Sequence, residues 1–386
     1  MKRLEFGTHI DLEDPVASAR QLESEGFDYI NCGEHFLFHS SPQSRLKRVS
    51  SSWIALSAAA AVTSRIKLLS AIIQLPLYPT ILVAKMATSL DILSQGRYNL
   101  GIGVAGEFAK EFEVTGVPVN ERGARADEAL EVIRRFWGEG LTSYQGRFHD
   151  FHDVSFQPKP VQSGGVPIWI AGRKDPAMRR AGRYGDVWFP YLYNPQMLHA
   201  SVLKVRAAAV EAGRNPDAIR TAVLAYICLD KDPVKARRVA TEVMGHVYQQ
   251  DFERLVDRLI LYGGPKQIRA GLSEFYDAGA RQVMTFLVAP DAERSAMRKR
   301  FVAEVMPEFG VAGALPEVAT REHVQERHQR DKGKHRPRQL RQTADVTAGG
   351  QVNPDEDHGD GMQEANQELE NLLHPLNLPA APWGPV

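Results

Sequence analysis

Apolar positions in this chain follow two alternating rhythms. Short runs rich in branched and aromatic residues read as strands. Each is followed by a longer stretch in which apolar residues return every three or four positions, the period of a helix. Leu4–Ile10 reads as a strand and Pro15–Glu25 as a helix ended by Gly26. The pairing continues as Phe27–Cys32 with Ser52–Thr63, Ile66–Ile73 with Thr80–Leu93, and Arg97–Ile102 with Ala124–Trp137. It resumes as Ile168–Ala171 with Pro176–Tyr184 and Asp186–Phe189 with Pro195–Ala212. Ala222–Leu229 precedes two helical stretches, Pro233–Leu261 and Pro265–Ala278, and Gln282–Val288 is the last strand. Strand-then-helix order predicts a parallel sheet. Eight repeats in about 300 residues predict the α/β class and a closed (β/α)8 TIM barrel. The rival is an open doubly wound sheet, which announces itself by a glycine-rich turn after its first strand. Here that place holds His9, Ile10, Asp11, Leu12 and Glu13.

Two insertions interrupt the repeat. Residues 32–50 form a long loop after the second strand, and loops at strand C-termini build the active face of a barrel. Gly138–Gly165 carries a hairpin-like stretch, Tyr144–Phe148, and the proline-rich Gln157–Pro160. Beyond Gly310 the texture changes. Residues 321–341 hold eight Lys/Arg against three Asp/Glu, and residues 345–370 hold eight Asp/Glu and no Lys/Arg. Large apolar residues are sparse in both blocks. Residues 1–312 are therefore read as the barrel and 313–386 as a low-complexity, disordered C-terminal tail with one short helix at Met362–Leu373.

Composition narrows the function classes. Apolar residues make up 43% and charged residues 24%, which excludes a wholly disordered chain. Lys+Arg and Asp+Glu are both 47, so no basic excess points to nucleic acid. Two cysteines, Cys32 and Cys228, are too few for a disulfide framework or a four-thiolate zinc site. The start lacks the apolar core of a signal peptide, and Leu56–Val62 is too short to cross a bilayer. The expectation is a cytoplasmic protein with neither a nucleic-acid nor a membrane partner.

Candidate chemistry gathers at predicted strand ends. His35 follows Glu34 after the second strand and would point into the barrel mouth, where it could shuttle a proton. Its bland role is a ring satisfied by a loop carbonyl. Gly101, Gly103 and Gly106 let the backbone after the fourth strand approach a flat ligand. Glu107 beyond them is a candidate proton donor if buried. Glu111 reads as a solvent-face helical residue or an arginine partner. Gly172, Arg173 and Lys174 end the fifth strand, with Asp175 as N-cap and Pro176 at the first helical position. Free amides and two cations there suit a phosphate. The plain alternative is a capped surface helix whose basic face is Arg179, Arg180 and Arg183. His149 and His152 beside Asp150 and Asp153 match no metal signature, and no metal site is assigned. Trp53, Trp169 and Trp188 are expected to pack rather than bind.

Four stretches carry a resemblance. FDYINCGEH (27–35), LVAKMATSLDILSQGRYNLGIG (82–103), EFEVTGVPVNERGARADEALEVIRRFW (111–137) and PIWIAGRKDPAMRRAGRYGDVW (167–188) occur in an order and spacing similar to the bacterial luciferase-like superfamily of flavin- and deazaflavin-dependent oxidoreductases. The resemblance spans roughly residues 4–310. It implies a (β/α)8 barrel with a flavin-like ring over the strand C-termini and His35 near its reactive edge. It implies a non-prolyl cis peptide at Ala71–Ile72 behind the ring and a phosphate site at Gly172–Lys174. Gln74 would meet the ring's polar edge. Arg122 and Arg125 match the family pattern, though pairing with Glu111 or Glu128 is their plainer role. Two cofactors follow from the resemblance. Reduced FMN, delivered by a separate flavin reductase, would make a monooxygenase acting on a small organic substrate under a lid built from residues 38–50 and 138–165. Coenzyme F420 would make a hydride-transfer enzyme with Glu107 and His35 as acid and base. A barrel that holds flavin without turnover, a phosphate-binding barrel of other chemistry, and a homodimer remain as expectations to test.

Overall fold

The structure, a computed structural model, describes residues 2–37, 51–106 and 108–310. Glu107, the loop at 38–50 and the tail from 311 onward, including the short helix expected at 362–373, lie outside the described residues. Eight parallel strands close into a barrel. They are β1 (Glu5–His9), β2 (Tyr29–Cys32), β3 (Lys67–Ser70), β4 (Tyr98–Gly103), β5 (Ile168–Ala171), β6 (Val187–Phe189), β7 (Arg220–Leu229) and β8 (Ala280–Leu287). Each pairs with its neighbours in chain order, and β8 returns to β1 through Glu5 opposite Gln282 and Thr8 opposite Thr285. The expected (β/α)8 architecture is the one observed.

Prolines set the helix starts. Asp14, Asn194 and Asp232 each precede a proline, and each side chain accepts a hydrogen bond from a backbone N–H of the first turn. The proline loses nothing there, since its missing N–H falls at a position without an intrahelical partner. The helix after β5 departs from this expectation. It runs Asp175–Tyr184 with Lys174 at the N-cap, so Asp175 sits one residue inside the helix. The Asp175 carboxylate instead takes the Lys204 ammonium at 3.2 Å.

Three further readings are corrected. The stretch Pro233–Leu261 is not one helix. The helix ends at Tyr248, Gln249 turns left-handed at φ 51°, and after a single turn at Val256–Leu259 the chain enters a strand, Ile260–Gly263. That strand pairs with the end of β7 on the edge opposite β8. A short apolar run satisfies either period, so pairing rather than pattern decided it. The third strand is split: Lys67–Ser70 is β3, and Ile73–Gln74 pairs separately with β4 beyond the Ala71–Ile72 peptide. Arg180 does not belong to a basic surface face. It is buried, with Nε donating to Asp127 at 2.6 Å and Nη2 to the Gly123 carbonyl at 3.2 Å.

The insertion after the fourth helix is a hairpin, Leu141–Gln145 against Asp150–Ser155. Its turn is pinned to the barrel. The Glu128 carboxylate accepts from the N–H groups of Arg147, Phe148 and His149, and His149 Nε2 lies 2.7 Å from Thr80 Oγ1. Glu128 is thus spent on the hairpin, and Arg125 pairs with Glu121 instead. Trp53, Trp169 and Trp188 are buried, as packing residues should be.

Candidate functional site

The end of β2 carries Glu34 and His35 into the barrel mouth. Glu34 is buried and saturated. Its carboxylate accepts from the Ser52 backbone N–H at 3.1 Å and from the hydroxyls of Ser51, Ser52 and Tyr78. These bonds tie the segment before His35 to the next two elements of the fold. Tyr78 is pushed upward by burial and by the adjacent carboxylate, so it stays a donor.

His35 faces a second carboxylate. Its Nδ1 lies 3.3 Å and 3.4 Å from the two oxygens of Glu111. Glu111 is fully buried on the short helix Ala109–Thr115. It also accepts from the Phe36 N–H at 2.7 Å, the Leu37 N–H at 3.3 Å and Gln74 Nε2 at 2.8 Å. Burial alone would raise its affinity for a proton. The bonds and charge of His35, with Gln74 and the backbone donors, outweigh burial and hold the carboxyl below the usual glutamate value. Gln74 Nε2 also lies 3.1 Å from His35 Nδ1. An ionised Glu111 requires the Gln74 amide to point its N–H group that way, because the reversed amide would set two oxygens face to face. Gln74 Oε1 is left buried and without a partner. The Phe108 ring stands edge-on to His35 with centroids 5.0 Å apart.

This corrects one reading of the sequence and completes another. Glu111 is neither on a solvent face nor an arginine partner; it is the group that fixes His35. Its signal was present as a glutamate in the first turn after a glycine-rich strand end, but nothing local tells an inward helical glutamate from an outward one.

The mouth next to His35 is formed by closely packed strand ends. The Ala71–Ile72 peptide is cis, at the position expected. Ser70 Oγ donates to the Gly101 carbonyl and accepts from its N–H. A Cβ on Gly101 would strike the Ser70 carbonyl, and one on Gly103 would strike Ile72. The strand ends of β3 and β4 therefore press backbone to backbone at Gly101, the Ile72 side chain covers Gly103, and Gln74 lies opposite Gly103. On the next strand round from β4, Gly172 has φ 126°, a conformation open to glycine. Arg173 is buried, its guanidinium 5.1 Å from the Tyr191 ring centre, and Lys174 is exposed at the helix start.

Residues 3–282 match the profile of the luciferase-like monooxygenases. The chain belongs to that family. Among curated relatives, the F420-dependent glucose-6-phosphate dehydrogenase of Kineococcus radiotolerans is 28% identical over 317 residues, 75% of this chain and 90% of that protein. The FMNH2-dependent dimethylsulfone monooxygenase of Pseudomonas putida is 27% identical over 247 residues, 63% of this chain and 66% of that one. Mycobacterial relatives of uncharacterized function match at 33%, and the chain spans about half of their length, 55%. A solved F420-dependent secondary alcohol dehydrogenase, in complex with an F420–acetone adduct, shares the fold with a TM-score of 0.68. It is 20% identical, over 80% of this chain and all of that one.

Within this luciferase-like chain, the structure brings His35, Gln74 and Glu111 together at the mouth, with Ala71, Ile72 and Gly103 beside them. Gly172, Arg173 and Lys174 sit at the end of β5, two strands round from β3. Among the described residues no cluster of His, Cys, Asp and Glu could hold a metal ion, and no helix is long and apolar enough to cross a membrane.

Proposed function

We propose that this chain is a luciferase-like oxidoreductase that works with a reduced flavin-type cofactor at the barrel mouth. The first reading is a monooxygenase using reduced FMN and O2 on a small organic molecule. The observation that carries the proposal is the Glu111–His35–Gln74 cluster, with Glu111 and Gln74 buried, beside the closely packed strand ends of β3 and β4. A flat ring fits this place: Gly103 lets the Ile72 side chain lie flush against the end of β4, and Gln74 Oε1 offers an unpartnered acceptor to a ring N–H. Ala71, Ile72, Gln74 and Gly103 would form the wall behind the ring. Gly172, Arg173 and Lys174 would hold its phosphate through helix-start amides and a positive charge.

When bound, the cofactor supplies the electrons, for oxygen activation or as a hydride. The chain supplies proton handling. Glu111 accepts the Nδ1 proton of His35 in a hydrogen bond and so fixes the ring's tautomer and orientation. Proton exchange with a ligand would then run through Nε2. Phe108 packs the ring edge-on and limits its rotation.

A second reading, hydride transfer with F420, is supported by the Kineococcus dehydrogenase, 90% of whose length this chain covers. In that reading Glu107 and His35 would act as acid and base. The partners proposed are a separate flavin reductase for the FMN reading and a second copy of this chain. Exposed Ile54, Ile81, Leu82, Ile92 and Leu93 on two adjacent helices support the dimer. A cytoplasmic setting is supported by two buried cysteines that form no disulfide.

The test is a fluorescence titration with FMN and with F420, each oxidised and reduced. Preference for reduced FMN, followed by substrate-dependent oxygen consumption, is the expected result. Tight F420 binding with weak FMN binding replaces it with the second reading. Binding of neither removes the oxidoreductase assignment.

A further inference from the structure

The barrel interior is lined by alternate residues of each strand. On β1 these are Glu5, Gly7 and His9. Glu5 reaches inward to Tyr29, Lys67 and Gln282, and a Cβ on Gly7 would strike Met284 and Tyr29. Tyr29 in turn touches Trp169 of β5 across the barrel, with ring centroids 5.4 Å apart. His9 therefore ends β1 facing inward at the mouth, one strand away from His35.

His9 Nδ1 lies 3.1 Å from Oδ1 of the buried Asn31, its register partner on β2. An amide oxygen only accepts, so Nδ1 carries the proton and Nε2 carries a lone pair. Nε2 is shut off from solvent and has no hydrogen-bond partner. Burial pushes the ring's proton affinity down to about 4. The Asn31 bond and Asp11 work against that, and the Arg294 cation works with it. The ring is therefore neutral at physiological pH and the lone pair is retained. A buried acceptor left unpartnered works against folding. Gln282 Oε1 at the opposite end of the barrel is unpartnered too, so that property alone does not mark a site. What distinguishes His9 is its place at a strand C-terminus beside the His35 cluster.

We propose that His9 is a substrate-binding residue of the mouth, its Nε2 accepting a hydrogen bond from a hydroxyl group of a small neutral substrate. This rests on the reading of the mouth as the cofactor site. A neutral hydroxyl fits better than an ammonium group, because Arg294 repels a cation there. His9 orients the substrate hydroxyl, whereas His35 handles protons near the cofactor.

The test uses the full chain labelled with 15N-histidine and loaded with whichever cofactor the titration selects. The His9 signal is identified by its loss in His9→Gln. Cyclohexanol is the probe and methoxycyclohexane the control. The expected result is an unprotonated Nε2 that shifts on adding cyclohexanol and stays put with methoxycyclohexane. His9→Phe is expected to bind cyclohexanol about tenfold more weakly, the loss of roughly one hydrogen bond, and His9→Gln to restore it. Both variants keep cofactor affinity within about twofold on that account. A protonated Nε2, or one unmoved by cyclohexanol in cofactor-loaded protein, overturns the His9 role and leaves the cofactor site standing. If neither cofactor binds, the site reading falls and the His9 role falls with it.

Discussion

Each end of the barrel holds a carboxylate, a base and a glutamine, and the two sets behave differently. At the N-terminal end, Glu5 pairs with Lys67 at 2.7 Å and accepts from Gln282 Nε2 at 2.7 Å. At the mouth, Glu111 pairs with His35 and accepts from Gln74. In both places burial works to raise the carboxyl, and in both the partners win and lower it. The difference is the base. Lys67 is held above the ordinary lysine range: burial opposes this, but Tyr29 and Glu5 prevail. Its charge never changes at working pH. The base at the mouth is an imidazole, whose two ring nitrogens can take a proton at one and release one from the other. One set is a fixed tie across the sheet; the other is a tie that can pass a proton.

Replacing the imidazole tests this contrast most severely. His35→Ala is expected to lower turnover by about 10²–10⁴-fold, the range for a lost general acid–base group. Cofactor affinity should change little, while the unfolding free energy falls because the buried Glu111 loses a partner. Unchanged turnover would make the mouth set as structural as the other end.

Glu111→Gln keeps the shape and removes the charge. Turnover is expected to fall by about 10–100-fold, with a displaced pH profile and nearly unchanged cofactor binding. A fall in KM performance alone, with the pH profile in place, would reduce Glu111 to packing. The same substitution tests linkage. A carboxyl lowered in the fold stabilises fully above its unfolded value of 4.5, and that stability is lost as pH falls through the lower folded value. Wild type should lose this component in acid and Glu111→Gln should not.

Lys67→Met addresses the other end. It leaves Glu5 without its cation in a partly exposed site, so the cost is discounted to about 1–2 kcal/mol of unfolding free energy. Urea denaturation measures it, and cofactor titration should be unaffected. A loss of cofactor binding at unchanged stability would mean that the two ends are coupled.

Much of the fold was legible because it is local. Thr80–Leu93 and Ile168–Ala171 fall where the pattern put them, since an amphipathic period and a bounded β-branched run depend on neighbours in sequence. The Ile260–Gly263 strand was not legible, because its register partners, Tyr226–Leu229, lie far upstream in the chain. His35 was legible by its place at a strand end. Glu111 was not, since a helical residue faces in or out according to what the helix packs against.

By itself, the sequence determined the eightfold strand–helix repeat, the family resemblance, the glycines of the β4 end and the histidine after β2. These follow from chain-local period, turn chemistry and residue type. Only the tertiary structure decided that Glu111 turns inward to His35, that Arg180 is buried against Asp127, and that Nε2 of His9 is buried without a partner. Each depends on which groups far apart in the chain share a dry space, where every donor and acceptor must find a partner or wait for one.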